Sequence, residues 1–332
     1  MASKRALGQA SQRRLPMLAL AIGLLVTMSM YFVIFSSSRL DVASPSQREW
    51  AAGVESYNSD FMQYKRGIVM CLFDGMVPMA VSLVQELRAL GNTDLVQMYH
   101  CNGELSPSSQ RIITMMDSHV QIIDGCAEMV ASGKLSAGQA NDFRSFWLKP
   151  LALVHTHLED VVLIDADDLV FQDVSQLWDV PQYKATGTIF FYDREIGKHE
   201  YLQGDYTVND EVLSNVKALY HTFDYAQFGL NKAQPSAHLI QSLAWTGDSA
   251  HEQDSSIVVV NKPKAPKAME ILWRLVTEDR YRIGFSYGDK ELFWLAYELA
   301  HLPYSFSPWA NSGAARPGNM REHPDTLCGS FS

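Results

Sequence analysis

Residues 161–171, Val-Val-Leu-Ile-Asp-Ala-Asp-Asp-Leu-Val-Phe, constrain this chain more than any other stretch. Four consecutive aliphatic residues, Val161 to Ile164, are too few for a buried helix and suit a strand covered on both faces. The run then meets three carboxylates in four positions, Asp165, Asp167 and Asp168. A strand wrapped in apolar layers thus delivers acid at its carboxyl end, which in open α/β sheets is where ligands sit. In an extended chain Asp165 and Asp167 point to the same side. Two hard oxygen donors on one side suit Mg²⁺ or Mn²⁺, cations that bind through one or two carboxylates and the phosphates of a substrate. The competing expectation is structural. An acidic cluster after a strand also makes turns and helix N-caps, and Asp168 or Asp173 is placed to do so.

The segments before this strand alternate in type. Gly67–Phe73 reads as a strand, and Pro78–Leu90 carries apolar residues at helical spacing that end at Gly91-Asn92. Strands follow at Leu95–Tyr99 and Val120–Asp124, with a helix near Ser108–Met116 between them. Strands alternating with helices predict a parallel sheet. No G-x-G-x-x-G follows the first strand, so a dinucleotide site is not indicated. Residues 143–155 read as a helix broken near Pro150, with Leu151, Val154 and Leu158 toward the core. Lys149 on that helix leads into the acidic strand and is either a solvated lysine or a contact for a diphosphate.

Beyond the acidic loop, Leu177-Trp178 and Pro181 close a short helix, and Thr188–Tyr192 is a strand ending in Asp193. Residues 197–241 lack periodicity and read as an insertion, lid or substrate-facing loop. Asp254-Ser255-Ser256 then precedes a strand at Ile257–Val260, an acid-and-hydroxyl cluster at another strand's edge. A helix over Pro266–Val276 and a turn from Tyr287 into a second helix, with Asp289 as N-cap, complete the pattern.

The amino-terminal segment has a different character. Leu15–Phe35 holds no charge over 21 positions, about 30 Å as a helix and enough to span a bilayer. Lys4, Arg5, Arg13 and Arg14 precede it, which leaves residues 1–14 as a cytoplasmic tail. The expectation is a signal anchor at 15–35, a polar stem at 36–66 and a catalytic domain at 67–332. A cleaved signal peptide is the alternative, but the apolar stretch exceeds the usual length for one. The net charge of −10 argues against nucleic acid as a partner. Cys71, Cys101, Cys126 and Cys328 allow three pairings, or buried free thiols, and match no zinc spacing.

Taken together and in order, FWLKPLALVHTHLED, VVLIDADDLVFQD, YKATGTIFF, QDSSIVVVNK and YGDKELFWLA resemble the fungal-type α-mannosyltransferases of glycosyltransferase family 71. The likeness extends from about Gly67 to Phe306. It implies a GT-A fold, a Rossmann-like nucleotide-sugar-binding sheet preceded by one transmembrane helix. It also implies a Golgi, single-pass type II membrane protein with a lumenal catalytic domain. The implied reaction is transfer of mannose from GDP-mannose, with retention, to a hydroxyl of a glycan or glycoprotein. Asp165 and Asp167 would hold Mn²⁺ or Mg²⁺ on the donor diphosphate and Lys149 would touch the phosphate. Asp254 and Asp193 are the catalytic candidates, contacting donor sugar or acceptor. Where the family has Glu-Ser-Gly-Gln, this chain has Asp254-Ser255-Ser256-Ile257. A UDP-sugar transferase and a non-catalytic lectin-like or scaffold protein are the rival readings.

Overall fold

The structure is a computed structural model that describes residues 60–308. The expected tail (1–14), the expected anchor (15–35), nearly all of the expected stem and Cys328 lie outside them. Among the described residues no helix is long and apolar enough to cross a membrane.

Residues 61–308 form one compact unit around a six-stranded sheet. Its elements are β1 (Arg66–Cys71), α1 (Val77–Ala89), β2 (Leu95–His100), α2 (Pro107–Met116), β3 (Val120–Asp124), α3 (Gly125–Ala131), α4 (Leu148–His155) and β4 (Asp160–Ile164). There follow α5 (Pro181–Thr186), β5 (Thr188–Tyr192), the hairpin β6–β7 (Asp205–Val208, Glu211–Ser214), α6 (Asn215–Thr222), β8 (Gln253–Asn261), α7 (Pro266–Arg274) and α8 (Leu292–Leu299). Strand order is β3-β2-β1-β4-β8-β5. The first four strands run parallel, and β8 runs antiparallel to both neighbours. The expected α/β sheet is therefore present and mixed rather than purely parallel.

Two features of this order matter for the site. The chain builds outward from β1 to β3 and then returns to lay β4 on the other side of β1, which makes the carboxyl ends of β1 and β4 the switch point where such sheets bind ligands. The reversed direction of β8 brings its amino-terminal end beside the carboxyl end of β4. Ile164 lies opposite Ile257, and the Asp165 N–H donates to the Ser256 carbonyl at 2.9 Å.

Local sequence explains most of these elements. Val161 to Ile164 are fully buried, as their aliphatic run requires. In α1, Ala80, Leu83, Val84 and Leu87 form the buried stripe, and Gly91 ends it at a φ of +95° that disfavours a side chain. Pro150 corrects the expected break. Two short 3₁₀ turns precede it (Asn141–Phe143, Ser145–Trp147), and α4 starts at Leu148 with the proline in its first turn. A missing N–H costs nothing there because first-turn amides have no partner within the helix.

Residues 197–241 are also corrected. They form a 3₁₀ turn, the β6–β7 hairpin and α6, with Leu202, Leu219, Tyr220, Phe223 and Tyr225 buried. Their aromatic residues follow no period because they pack on one another: Phe223 stacks on Phe228 at 5.4 Å and Tyr220 meets Tyr225 edge-on at 5.9 Å.

Among the described residues Cys101–Cys126 is the bridge formed, tying the end of β2 to α3, and Cys71 pairs with no cysteine there. The bridge closes a loop with a sequence separation of 25, which on chain-entropy grounds is worth about 3 kcal/mol. Replacing both cysteines by alanine should lower the urea midpoint by an amount equivalent to about 3 kcal/mol; an unchanged midpoint would remove the bridge from the stability of this fold.

Candidate active site

The tip of β4 is organised around a buried ammonium. Lys149 comes from the first turn of α4, and its side chain is only 7% exposed. It donates to Asp165 Oδ1 at 2.9 Å, to the Ser255 carbonyl at 2.9 Å and to Ser255 Oγ at 3.1 Å, and it pairs with Asp289 Oδ2 at 3.1 Å. An ammonium has three protons, and all three are directed inward. Lys149 is thus the counter-ion of two carboxylates. Asp289, expected to cap α8, makes no such cap. The N-cap residue is Glu291, without a side-chain cap bond, while Asp289 is buried beneath Lys149.

Electrostatics follow from this burial. Burial alone would strip Lys149 of its proton, but Asp165 and then Asp289 more than offset it and hold the lysine protonated well above its ordinary range. The carboxyl group of Asp165 is pushed up to about 6 by burial, with Asp289 and Asp167 adding to the rise and Lys149 opposing it. Burial, then the charges of Asp165, Asp167 and Asp254, push Asp168 up to about 7. Asp168 Oδ2 is buried without a hydrogen-bond partner. The expected structural role belongs to Asp173 instead, which caps the following 3₁₀ turn through the Ser175 N–H.

The remaining candidates flank this tip. Asp167 is exposed. Asp254, on β8, is buried and accepts from the Ser256 N–H at 2.8 Å and the Ser256 hydroxyl at 2.6 Å. Asp193, just beyond β5, has a fully buried side chain that pairs with Lys290 Nζ at 2.7 Å. Burial lowers the Lys290 ammonium, and Asp193 and Asp254 raise it to a net upward shift. Structure thus brings Lys149, Asp165, Asp167, Asp168 and Asp254 to one place, with Asp193 beside them through Lys290.

A divalent cation fits this tip in one particular way. Among the described residues no group of three or more His, Cys, Asp or Glu side chains forms a ready metal cage. Adjacent carboxylates that lift one another's affinity for protons, one oxygen of them buried and unpartnered, are nevertheless short of positive charge. Such a donor set suits Mg²⁺ or Mn²⁺ completed by a ligand's phosphates and water, not a cation held by protein alone.

A family described as "Mannosyltransferase putative" matches residues 65–330. The chain belongs to this family. It is similar to "Putative alpha-1,3-mannosyltransferase MNN14" of Candida albicans, at 24% identity over 242 residues, 70% of this chain and 33% of that protein. It is also similar to "Alpha-1,3-mannosyltransferase MNT2" of Saccharomyces cerevisiae, at 22% identity over 259 residues, 77% of this chain and 46% of the relative. The chain spans between a third and a half of the length of these curated relatives. Among solved structures, "WbbM bifunctional glycosytransferase apo structure" aligns at 14% identity with a TM-score of 0.44, covering 74% of this chain and 40% of that one. A likeness of that size adds nothing to the sheet order itself.

Within this mannosyltransferase-family chain, Asp289 and Lys290 are the residues whose roles a sequence reading misassigns or leaves open. Both act through partners about a hundred residues away or more, and no local pattern carries that information. Glu291 is similar: wholly buried, it accepts from the N–H groups of Glu252 and Gln253 and from Trp294 Nε1 at 2.7 Å, and so fixes α8 to the start of β8.

Two predictions follow from the buried charges. Removing the shared ammonium leaves two buried carboxylates uncompensated, at a cost of roughly 3 kcal/mol; Lys149→Met should destabilise the fold by about that much. Combining it with Asp289→Ala should cost clearly less than the sum, and strict additivity in a chemical-denaturation cycle would refute the coupling. For Asp168, the unfolded chain releases its proton near the ordinary 3.8 and the folded chain near 7. Its contribution to stability is therefore complete below about pH 4 and is lost as pH rises through about 7. In EDTA, the melting temperature of Asp168→Asn should gain on the parent protein across that window; parallel curves would contradict the assignment.

Proposed function

We propose that the chain is a metal-dependent glycosyltransferase of GT-A type that moves mannose from GDP-mannose to a hydroxyl of a glycan or glycoprotein with retention. The observation that carries this reading is the convergence of Asp165, Asp167, Asp168 and Asp254 at the β1/β4 switch point, with one buried oxygen of Asp168 unpartnered. Membership of a mannosyltransferase family supports the choice of mannose. The donor nucleotide, the metal, the stereochemistry and a Golgi, type II placement through residues 15–35 are parts of the same proposal. The Cys101–Cys126 bridge agrees with an oxidising compartment.

In such a reaction the negative charge that develops on the leaving diphosphate must be stabilised. A divalent cation on Asp165 and Asp167 would supply that stabilisation as a Lewis acid. This chain's own residues set the frame for it. Lys149 keeps Asp165 ionised and in one orientation through paired contacts to both carboxylate oxygens. Asp254 fixes the Ser256 hydroxyl, and Asp193 fixes Lys290. The two buried carboxylates expected to touch sugar therefore act by orienting a hydroxyl and an ammonium, which are the groups presented to donor sugar or acceptor. Either a covalent glycosyl intermediate or front-face attack is compatible with these positions.

With Mn²⁺ present, GDP should stabilise the protein in a thermal-shift series more than UDP does, and GDP-mannose should be hydrolysed slowly in the absence of acceptor. Asp165→Asn and Asp167→Asn should each weaken Mn²⁺-dependent GDP binding by on the order of a hundredfold, the upper range for loss of a tuned metal contact. Turnover of a UDP-sugar in place of GDP-mannose would reassign the donor. Absence of any nucleotide binding would leave a non-catalytic, lectin-like protein.

A further inference from the structure

An aromatic cluster that the catalytic groups do not use stands next to them. Phe146 and Tyr287 are 49% and 48% exposed. Their centroids lie 5.6 Å apart, and Tyr287 meets Tyr201 edge-on at 5.4 Å. Tyr201 in turn stacks on His251 at 4.9 Å, and His251 Nδ1 lies 3.2 Å from the buried Glu291.

The backbone that presents these rings is special at each one. Tyr201 itself has a φ of +51°, Ser145 immediately before Phe146 has +61°, and Gly288 immediately after Tyr287 has +64°. Left-handed backbone is costly for a tyrosine or a serine and persists where the surroundings enforce it, typically at binding sites. Gly288 is further constrained, since a Cβ there would meet the Phe146 side chain at 2.9 Å. Rings from three distant segments are thus brought together at Tyr287, with left-handed backbone at Tyr201 and Ser145 that those residues otherwise avoid.

The turn that carries Tyr287 is anchored from below by charge. Asp289 pairs with Lys149 and Lys290 pairs with Asp193. Tyr287 is therefore positioned two residues from Asp289, which shares the Lys149 ammonium with Asp165. The cluster also belongs to the β8 side of β4, because His251 precedes β8 and Glu291 binds the backbone of Glu252 and Gln253. The switch point itself lies between β1 and β4, on the other side of β4 from β8. Flat apolar rings beside an ammonium and hydroxyls match the chemistry of a hexose, whose ring offers an apolar face of C–H groups and a rim of hydroxyls.

From this juxtaposition we propose that Phe146, Tyr201 and Tyr287 form a stacking platform for a hexopyranose ring of the acceptor glycan. This rests on the transferase reading for the word acceptor, whereas the platform itself is tested by binding alone. The full chain, its Tyr287→Ala and Tyr287→Trp variants and Phe146→Ala would be titrated by ligand-observed NMR. Probes are disaccharides of mannose, glucose and galactose without donor, with GDP and Mn²⁺ titrated separately. At least one disaccharide should bind, Tyr287→Ala and Phe146→Ala should each weaken it about tenfold, as loss of one aromatic contact does, and Tyr287→Trp should retain it. GDP binding should stay within about twofold in all three. Disaccharide binding that depends on Tyr287 in a protein that binds no nucleotide would uphold the platform and sink the transferase reading. Loss of GDP binding in Tyr287→Ala with disaccharide binding intact would assign the rings to the base and overturn the proposal. No disaccharide binding by the parent chain, or equal binding by Tyr287→Ala, would also overturn it.

Discussion

The ammonium of Lys149 is the constraint on which the rest of the site depends. Taking a lysine out of water costs several kcal/mol unless anions and carbonyls replace the lost hydration. Four groups do so here, and they come from three separate elements: Asp165 from the end of β4, Ser255 from β8, and Asp289 from the turn before α8. With α4 contributing the lysine itself, one charge fixes the mutual positions of four segments. The same contacts explain why the lysine must be there. Without it, Asp165 and Asp289 would be two buried carboxylates with no counter-ion, and at least one would take up a proton.

Sheet topology supplies the second half of the arrangement. Had β8 run parallel to β4, its Asp254-Ser255-Ser256 segment would lie at the opposite end of the sheet, far from Asp165. The antiparallel run places it directly opposite, so that Ser255 meets Lys149 and Asp254 reaches the field around Asp168. Crowding four carboxylates at one point is unfavourable, and it adds to the burial that raises the affinity of Asp165 and Asp168 for protons. Carboxylates perturbed in this way cluster at functional sites.

What the sequence reveals of this arrangement divides along the range of the interactions involved. Local features are legible: the aliphatic run of β4, the amphipathic spacing of α1 and the glycine that ends it are all short-range consequences of residue type. So is the acidic tip, because the strand and its carboxylates are contiguous. Pro150 misleads, since a proline breaks a helix or begins one depending on where the first turn falls, and the residues before it gave no cap to decide. Asp289 misleads for a different reason. A carboxylate after a glycine and before an apolar run has the pattern of an N-cap, and only the folded chain brings Lys149 to it. The segment 197–241 reads as irregular because its aromatic residues pack on each other rather than in a stripe facing the sheet.

The turn Tyr287-Gly288-Asp289-Lys290 shows how these levels join. Two of its three side chains, Asp289 and Lys290, point into the protein and end on charges from α4 and the end of β5. The third, Tyr287, stands outside, against a ring from the segment before α4 and a ring from the insertion. The residue without a side chain sits where Phe146 leaves no room for one. A displacement of the turn would therefore disturb the counter-ion of Asp165 and the aromatic surface at once. Whatever rests on those rings is mechanically linked, through fewer than five residues of rigid backbone, to the carboxylate at the tip of the central strand.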